Sequence, residues 1–504
     1  MADRYLGDGG RLSGGPAPEL VASGFRQEIE HAPRLAAALA RADLAHAVAL
    51  AEGGGIPPAV AAELIRGLDE VEAIPAAEFP WDPALGDAFN SREAELTRRV
   101  GKAAAGWLSA GRPRRESFRV ALRLVARDGA RTLHDRLLAV AEALVRQADG
   151  VRNDLAADYT YLQPAQPTTA GHLLLAYAYP ALRDAGRLRE VHAELARSVA
   201  GVGGSAGSRW PLSRERLAEL LGCDGLVPHA KDAMWQVDAY VQLVSAIATA
   251  SMHGSHIGQD LEILASQEFG MVQLADRHSR ASALMPQKRN PYALAVVRAM
   301  AGTAAGELAG LLVALHTGSA RTDHFHVLNG LVPRLLDEAV SVTELLANVL
   351  ADMRVDAVCM GDAARRGFTQ AADVADVVAQ ACGLDYRTAH HVVGRAVTML
   401  TGDGRSPDDL TPDVLAAAGE AVGAEVRIDA AVLAEALDPL ACAAGRLQTG
   451  SSSPASMAAL IEDCTARIAD ARAWSAAAAA RADAGERLLR DAAAALAPRG
   501  STPA

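Results

Sequence analysis

The sequence predicts an all-α protein built from three helical domains. Three observations carry that expectation: apolar residues recur at steps of three and four along several long segments, β-branched residues rarely alternate with polar ones, and glycine and proline gather at a few joints.

The joints read "GDGGRLSGGPAP" near the start, "GVGGSAGSRWP" at 201–211 and "APRGSTPA" at the end. Before about residue 112 the helical stretches are short and the loops frequent, which predicts an N-terminal helical domain over 1–112. Residues 115–148 then carry Leu133, Leu137, Ala141 and Leu144 on one stripe, as an amphipathic helix does. Similar stretches cover 169–200, 232–268, 291–317 and 331–353, so a central long-helix domain is expected over 113–360. Helices that long exceed the usual globular length and predict an extended bundle packed against neighbouring copies. From 361 to 504 the helices shorten again into a C-terminal helical domain, with "AAAAARADAGERLLRDAAAALA" read as a helix.

At 504 residues, 50% of them hydrophobic, the chain can bury a large core. A formal net charge of -12 with no basic block argues against nucleic acid and against an anionic membrane surface, which leaves small molecules as the expected partners. The N-terminus lacks the order of a secretory signal, and no run of about 18 apolar residues free of charge occurs, so a cytoplasmic protein is expected. Cys223, Cys359, Cys382, Cys442 and Cys464 are odd in number, widely spaced and without a C-x-x-C pair, as reduced thiols are. His316, Asp323, His324 and His326 in "HTGSARTDHFH" include histidines at i and i+2 that diverge, so they are read as loop polarity or substrate contacts. No metal and no cofactor is expected.

The segment "ASALMPQKRNP" at 281–291 differs from its alanine- and arginine-rich surroundings, and holds Lys288, one of only three lysines. A loop of small residues with a serine hydroxyl, an ammonium and a carboxamide can hold a carboxylate through Lys288 and Asn290 while Ser282 faces the adjacent carbon. That arrangement suits proton abstraction beside a carboxylate. Such a carbon acid is very weak, so the developing dianion needs preorganised positive charge, and the base needs its pKa lowered by the same field. The same residue types also make an ordinary polar loop, and residue type alone leaves both open.

"SALMPQKRNP" resembles the mobile loop of the fumarase and aspartase superfamily, G-S-S-x-M-P-x-K-x-N, and its form L-M-P-Q-K-x-N-P is most similar to argininosuccinate lyases. Ser282, Met285, Pro286, Lys288 and Asn290 keep the pattern; Ala281 and Ala283 replace a glycine and a second serine. The segments "DLAHAVAL", "YTYLQPAQPTTAGHLLLAY", "DLEILASQEFG", "AADVADVVAQACGLDYRTAHHVVGRAV" and "GSSSP" follow in the family order, so the resemblance covers most of the chain. It implies Ser282 as general base in a loop that closes over substrate. It also implies a homotetramer whose long helices form one bundle, each active site drawing segments from three chains. His172, His390 and His391 are read as structural.

The departures from the pattern fall where substrate is held. The family's H-T-A-R-S-R-N-D is "SAGRPRRE" here: Arg112 and Arg114 stay, able to grip a carboxylate by bidentate pairing, and Pro113 and Arg115 replace serine and asparagine. G-Y-T-H-L-Q is "DYTYLQ", keeping Thr160 and Gln163 with Tyr161 in the histidine's place. A phenol can donate a proton, but a reference pKa of about 10 makes it a poor base. L-A-Y-N-x-D aligns with "ARTDHF", giving Thr322 and Asp323, and S-D-R-D becomes "WQVD", Trp235 to Asp238.

The resulting expectation is a lyase that eliminates an amine or other N-linked group from an N-substituted aspartate by Cβ proton abstraction, releasing fumarate, with a rewritten leaving-group pocket. Catalysis is assigned to Ser282, Lys288, Tyr161 and Thr160; substrate binding to Arg112, Arg114, Arg115, Asn290, Gln163, Met285 and Thr322. One alternative is an argininosuccinate lyase proper, which requires Arg115 turned away from a guanidinium leaving group. Another is a catalytically silent, crystallin-like structural homologue, against which the retained Ser282, Lys288 and Asn290 argue.

Overall fold

The computed structural model describes residues 15–318 and 324–498. Helices dominate, as the sequence predicts, and strands among the described residues are confined to four two-stranded ladders. Four long helices set the frame: Arg114–Gly150, Asp238–Leu264, Tyr292–Ala314 and His324–Asp352. The first has 37 residues and so spans about 55 Å at the helical rise of about 1.5 Å per residue.

Side-chain contacts fix the helix directions. Near one end the Arg119 guanidinium lies 3.0 Å from the Phe325 ring centroid. Near the other, Gln147 Nε2 donates to Leu350 O at 3.0 Å and to Met353 O at 2.9 Å, so Arg114–Gly150 and His324–Asp352 run parallel. Asp238–Leu264 starts close to Arg123 and runs the same way, and Tyr292–Ala314 returns against it, with Val297 over Gly254 and Arg298 over Gly258.

A ladder of arginines at steps of four nails the connection before Asp238 to the helix Arg114–Gly150. Arg119, Arg123 and Arg127 are 3%, 3% and 2% exposed. They donate to Met234 O at 3.3 Å, Glu194 O at 2.5 Å and Leu221 O at 3.1 Å. Buried loop carbonyls need donors, and a guanidinium supplies up to five from one side chain.

Two expected helices are interrupted. The 169–200 stretch divides into Ala170–Leu175 and Ala178–Leu195, because Pro180 has no N–H to give a carbonyl of the preceding turn. The 232–268 stretch divides at Gln236, whose ψ of 122° leaves the helix and whose side chain accepts from Arg123 at 2.9 Å. Ahead of Ala170, the strands Leu155–Thr160 and Gln163–Thr169 form an antiparallel hairpin. Leu155, Ala156 and Ala157 are buried in succession, so both faces of the first strand are covered at its start, while Pro164 and Pro167 keep the return strand from becoming helical.

The buried residues described form one large core, a smaller one and a minor cluster of Leu155, Ala157 and Ala364. The large core takes in Leu35, Leu39 and Val48 of the Arg26–Glu52 helix as well as the long helices, so the first hundred residues share it. The smaller runs from Val374 to Ala436. The segment 361–504 therefore divides: Met457, Cys464, Ile468 and Leu489 of the 43-residue helix Pro454–Leu496 return to the large core. Arg472 pairs there with Glu142 at 3.0 Å, and Ser475 donates to Asp135 at 2.9 Å.

Candidate active site

The predicted residues occupy three places in the chain. The first is the entry to Arg114–Gly150. Gly111 has a φ of +68°, and a Cβ there would meet Ser208 Oγ at 2.6 Å, so only glycine lets the turn approach so closely. Pro113 is the cap residue, and the helix starts at Arg114. Arg112 points inward: it is 4% exposed and donates to Asp43 at 2.8 Å and to Ala42 O at 3.1 Å. Its expected place as a substrate ligand is thus taken by a buried carboxylate. Arg114 is a third exposed and donates to Asp87 at 2.8 Å. Burial pushes the Asp87 carboxyl up, against the pull of Arg114. Glu116 is buried and accepts from Gly201 N at 2.6 Å and Gly203 N at 3.0 Å, which holds the glycine-rich loop against the helix; burial raises its pKa too.

The second place is the hairpin tip. Thr160 pairs with Gln163, and the two residues between, Tyr161 and Leu162, have φ of 54° and 59°. Two left-handed central residues suit a tight hairpin turn, but asparagine and glycine normally take them. A tyrosine and a leucine in that conformation store strain, as functional turns do. Tyr161 is 99% exposed. Behind the tip, a cavity of about 490 Å³ is lined by Tyr159, Tyr161, Leu162, Tyr177, Asp260 and Phe269. Tyr177 donates to Asp260 at 2.5 Å; burial and that bond raise its phenol pKa.

The third is the loop between the strands Arg280–Ala281 and Arg289–Asn290, which close its base. Asn290 Nδ2 donates to Arg280 O at 2.9 Å, so its amide N–H serves the clasp and leaves Oδ1 for other partners. Met285 and Lys288 lie on the exposed part of the loop. Ser282 Oγ accepts from Met285 N at 3.0 Å and Leu284 N at 3.3 Å. Two backbone donors aimed at a serine oxygen favour its negatively charged form, the form a serine base requires.

In one chain these places do not meet. The hairpin and the loop both lie toward the Gly150 end, the loop being tied there through Arg277 to Asp352. Arg114 and Arg115 sit at the opposite end of a helix about 55 Å long. Thr322 and Asp323 lie outside the described residues. His326 Nδ1 donates to the Glu28 carboxylate at 3.1 Å and its Nε2 lies 3.0 Å from the accepting Oε1 of Gln27, and the bond to Glu28 raises its pKa. His172, read from the sequence as structural, has Nδ1 on Thr168 and Nε2 on Gly450 O, each at 3.0 Å. The sequence reading missed Asp87 and Arg119. Asp87 caps the helix Ala88–Ala105 ahead of a readable "DAFN", and Arg119 follows Arg115 by four, on the same helical face.

Comparison with known proteins adds to this geometry. A family model described as Lyase matches residues 13–306, and one described as Argininosuccinate lyase C-terminal matches 368–444. The argininosuccinate lyase of Halobacterium salinarum is 33% identical over 457 residues, 90% of each chain. That of Thermus thermophilus is 34% identical over 415 residues, 81% of this chain and 88% of its own. Among solved structures, EDDS lyase in complex with formate superposes with a TM-score of 0.86 at 26% identity, covering 96% of this chain and 97% of its own. A variant of that enzyme with bound fumarate matches equally. Class II fumarase from Schistosoma mansoni, at 14% identity and a TM-score of 0.69, shares the fold.

Proposed function

Since this chain belongs to the argininosuccinate lyase family of the fumarase and aspartase superfamily and is a carbon–nitrogen lyase, we propose that it releases fumarate from an N-substituted aspartate whose leaving group is not arginine. Ser282 as its oxyanion takes the Cβ proton, and Lys288 balances the charge that grows on the adjacent carboxylate. The Cβ–H electrons form the double bond, the C–N bond breaks, and its electrons remain on nitrogen, which is protonated by Tyr161 or water. Thr160 and Gln163 supply hydrogen bonds from the hairpin, and Arg114 and Arg115 face the leaving group. The observation that carries this reading is Ser282 Oγ receiving two backbone N–H groups in the motif loop.

A homotetramer with shared sites is part of the proposal. The helix entry with Arg114 and Arg115 lies too far from the hairpin and the loop in one chain for all three to touch one small molecule. Tyr292–Ala314 also has a mean hydropathy of 1.4 with only 22% of its apolar window buried, so long an apolar face in one chain calls for neighbouring helices. All five cysteines are free thiols, which supports the cytoplasm as the compartment.

The second reading, an argininosuccinate lyase proper, draws on the 33% identity to such an enzyme over 90% of both chains. A fumarate assay on N-substituted aspartates separates the two. Argininosuccinate should be about ten- to a hundredfold poorer in kcat/KM than an aspartate with a neutral or anionic substituent. A value for argininosuccinate at or above about 10⁴ M⁻¹s⁻¹, typical of a dedicated enzyme, would favour the second reading.

A further inference from the structure

The hairpin that carries Thr160, Tyr161 and Gln163 is held at its base. Pro164 and Pro167 pair with Tyr159 and Ala157 across the ladder and have no N–H to give it. The tip is strained at Tyr161 and Leu162, and a strained turn persists only where its surroundings hold it. His172 stands just past the return strand. Its backbone N–H donates to Thr169 Oγ1 at 3.1 Å, and its ring meets Thr168 Oγ1 through Nδ1 and Gly450 O through Nε2, each at 3.0 Å.

A carbonyl only accepts, so Nε2 carries a proton and donates to Gly450 O. In the neutral ring Nδ1 is then a lone pair, which accepts from the Thr168 hydroxyl; that residue is 5% exposed and its O–H needs a partner. The far anchor is braced on both sides. Gly450, at a φ of +85°, donates to Ser456 Oγ at 3.0 Å in the first turn of Pro454–Leu496, and Arg446 pairs with Asp373 at 2.8 Å beside the smaller core. Thr168 pairs with Ala156, four residues before Thr160, so the bridge acts on a lever of roughly 13 Å at about 3.3 Å per residue. A tilt of about 5° at the base moves the tip by about 1 Å, which can cost about a hundredfold where reacting groups must align.

We propose that His172 is a positioning residue for the elimination, bridging the return strand to the turn at 446–453 and so fixing where Thr160, Tyr161 and Gln163 stand in the site. This rests on the elimination reading and extends it: the turn that joins the smaller core to the 43-residue helix helps to align the reacting groups.

The test measures fumarate release from N-propylaspartate or argininosuccinate, whichever wild type turns over faster, together with amide hydrogen exchange. His172→Phe keeps a ring and loses both ring bonds; kcat should fall about tenfold or more while KM changes less than about threefold, because Lys288 and Asn290 hold the carboxylate from another segment. Exchange should quicken at 155–169 and 446–453 and not elsewhere. His172→Gln, whose amide N–H reaches toward Gly450 O, should recover part of kcat and of the protection. If His172→Phe does not fold, Thr168→Val, which removes the Nδ1 half of the bridge, takes its place with the same expectation. A kcat within about twofold of wild type overturns the inference, as does a loss that tracks the amount of folded protein with exchange faster throughout the chain. Fumarate from neither substrate counts against the elimination reading instead, and exchange then decides on His172: protection at 446–453 unchanged by His172→Phe overturns the bridge.

Discussion

Arg112 and Asp43 form an ion pair 2.8 Å long whose side chains are only 3% and 1% exposed. Arg92 at 3.0 Å and Ser117 at 3.1 Å share the same carboxylate, so the pair fastens the Arg26–Glu52 helix to the residues that open the helix Arg114–Gly150. Without Arg112 the buried Asp43 carboxylate keeps Arg92 and Ser117 but loses its shorter ion pair, so Arg112→Met should cost about 1–3 kcal/mol of stability. Arg114→Met should cost far less in stability while removing most of the activity. Denaturant unfolding of both variants beside their kinetics checks this, and a stable Arg112→Met with a raised KM would return Arg112 to the substrate.

The strained tip yields a trade of stability against activity. Replacing Tyr161 and Leu162 by asparagine and glycine puts residues suited to a left-handed turn where two bulky ones now stand, with φ of 54° and 59°. The double variant should gain about 1–2 kcal/mol in stability. Its turnover should fall on the proposal that Tyr161 can protonate the leaving nitrogen, since its side chain is 99% exposed in one chain and within reach of a neighbour's site. A variant that is both more stable and fully active would leave the tip without a role in the reaction.

Acid should weaken the fold through His192. Burial, with Arg127 as the second cause, holds its pKa down at about 4. The folded value lies below the unfolded one, so the contribution is present above pH 6.5 and is lost as pH falls toward 4. Between pH 7 and pH 5 the loss is about 2 kcal/mol. Asp87, Glu116 and Asp184, raised by burial, act in the opposite sense, so the variant comparison isolates the histidine. His192→Gln should be less sensitive than wild type over that range by this amount in denaturant unfolding; parallel pH curves would remove His192 from the acid response.

The long helices were legible because a stripe such as Leu133, Leu137, Ala141 and Leu144 can be satisfied only by a helix with one face inside. The motif loop was legible because its serine, lysine and asparagine are an unusual set in so arginine-rich a chain. The hairpin was not: its alternation covers only a few residues and is interrupted by Pro164 and Pro167. The inward turn of Arg112 was hidden for a different reason, since its partner Asp43 lies 69 residues earlier and no local pattern links them. Arg119 left a signal in its step of four from Arg115, but an exposed ion-pairing stripe and a buried arginine ladder have the same spacing. Only packing against Phe325 and the Met234 carbonyl distinguishes them.

Whether separated segments join into one site through several chains is tested most directly by mixing two damaged proteins. Ser282→Ala should fold normally and lose turnover, because its Oγ bonds only the exposed loop's own Leu284 and Met285 N–H groups. Arg114→Met, damaged at the far end of the helix Arg114–Gly150, should also be nearly inactive. Dissociated, mixed in equal amounts and reassembled, the pair should recover activity to about a quarter of wild type, since a site that takes its loop from one chain and its helix entry from another is intact in one random assembly out of four. No recovery from mixed assemblies shown by light scattering to have re-formed would mean that Ser282 and Arg114 serve the same site from the same chain, and would contradict this account.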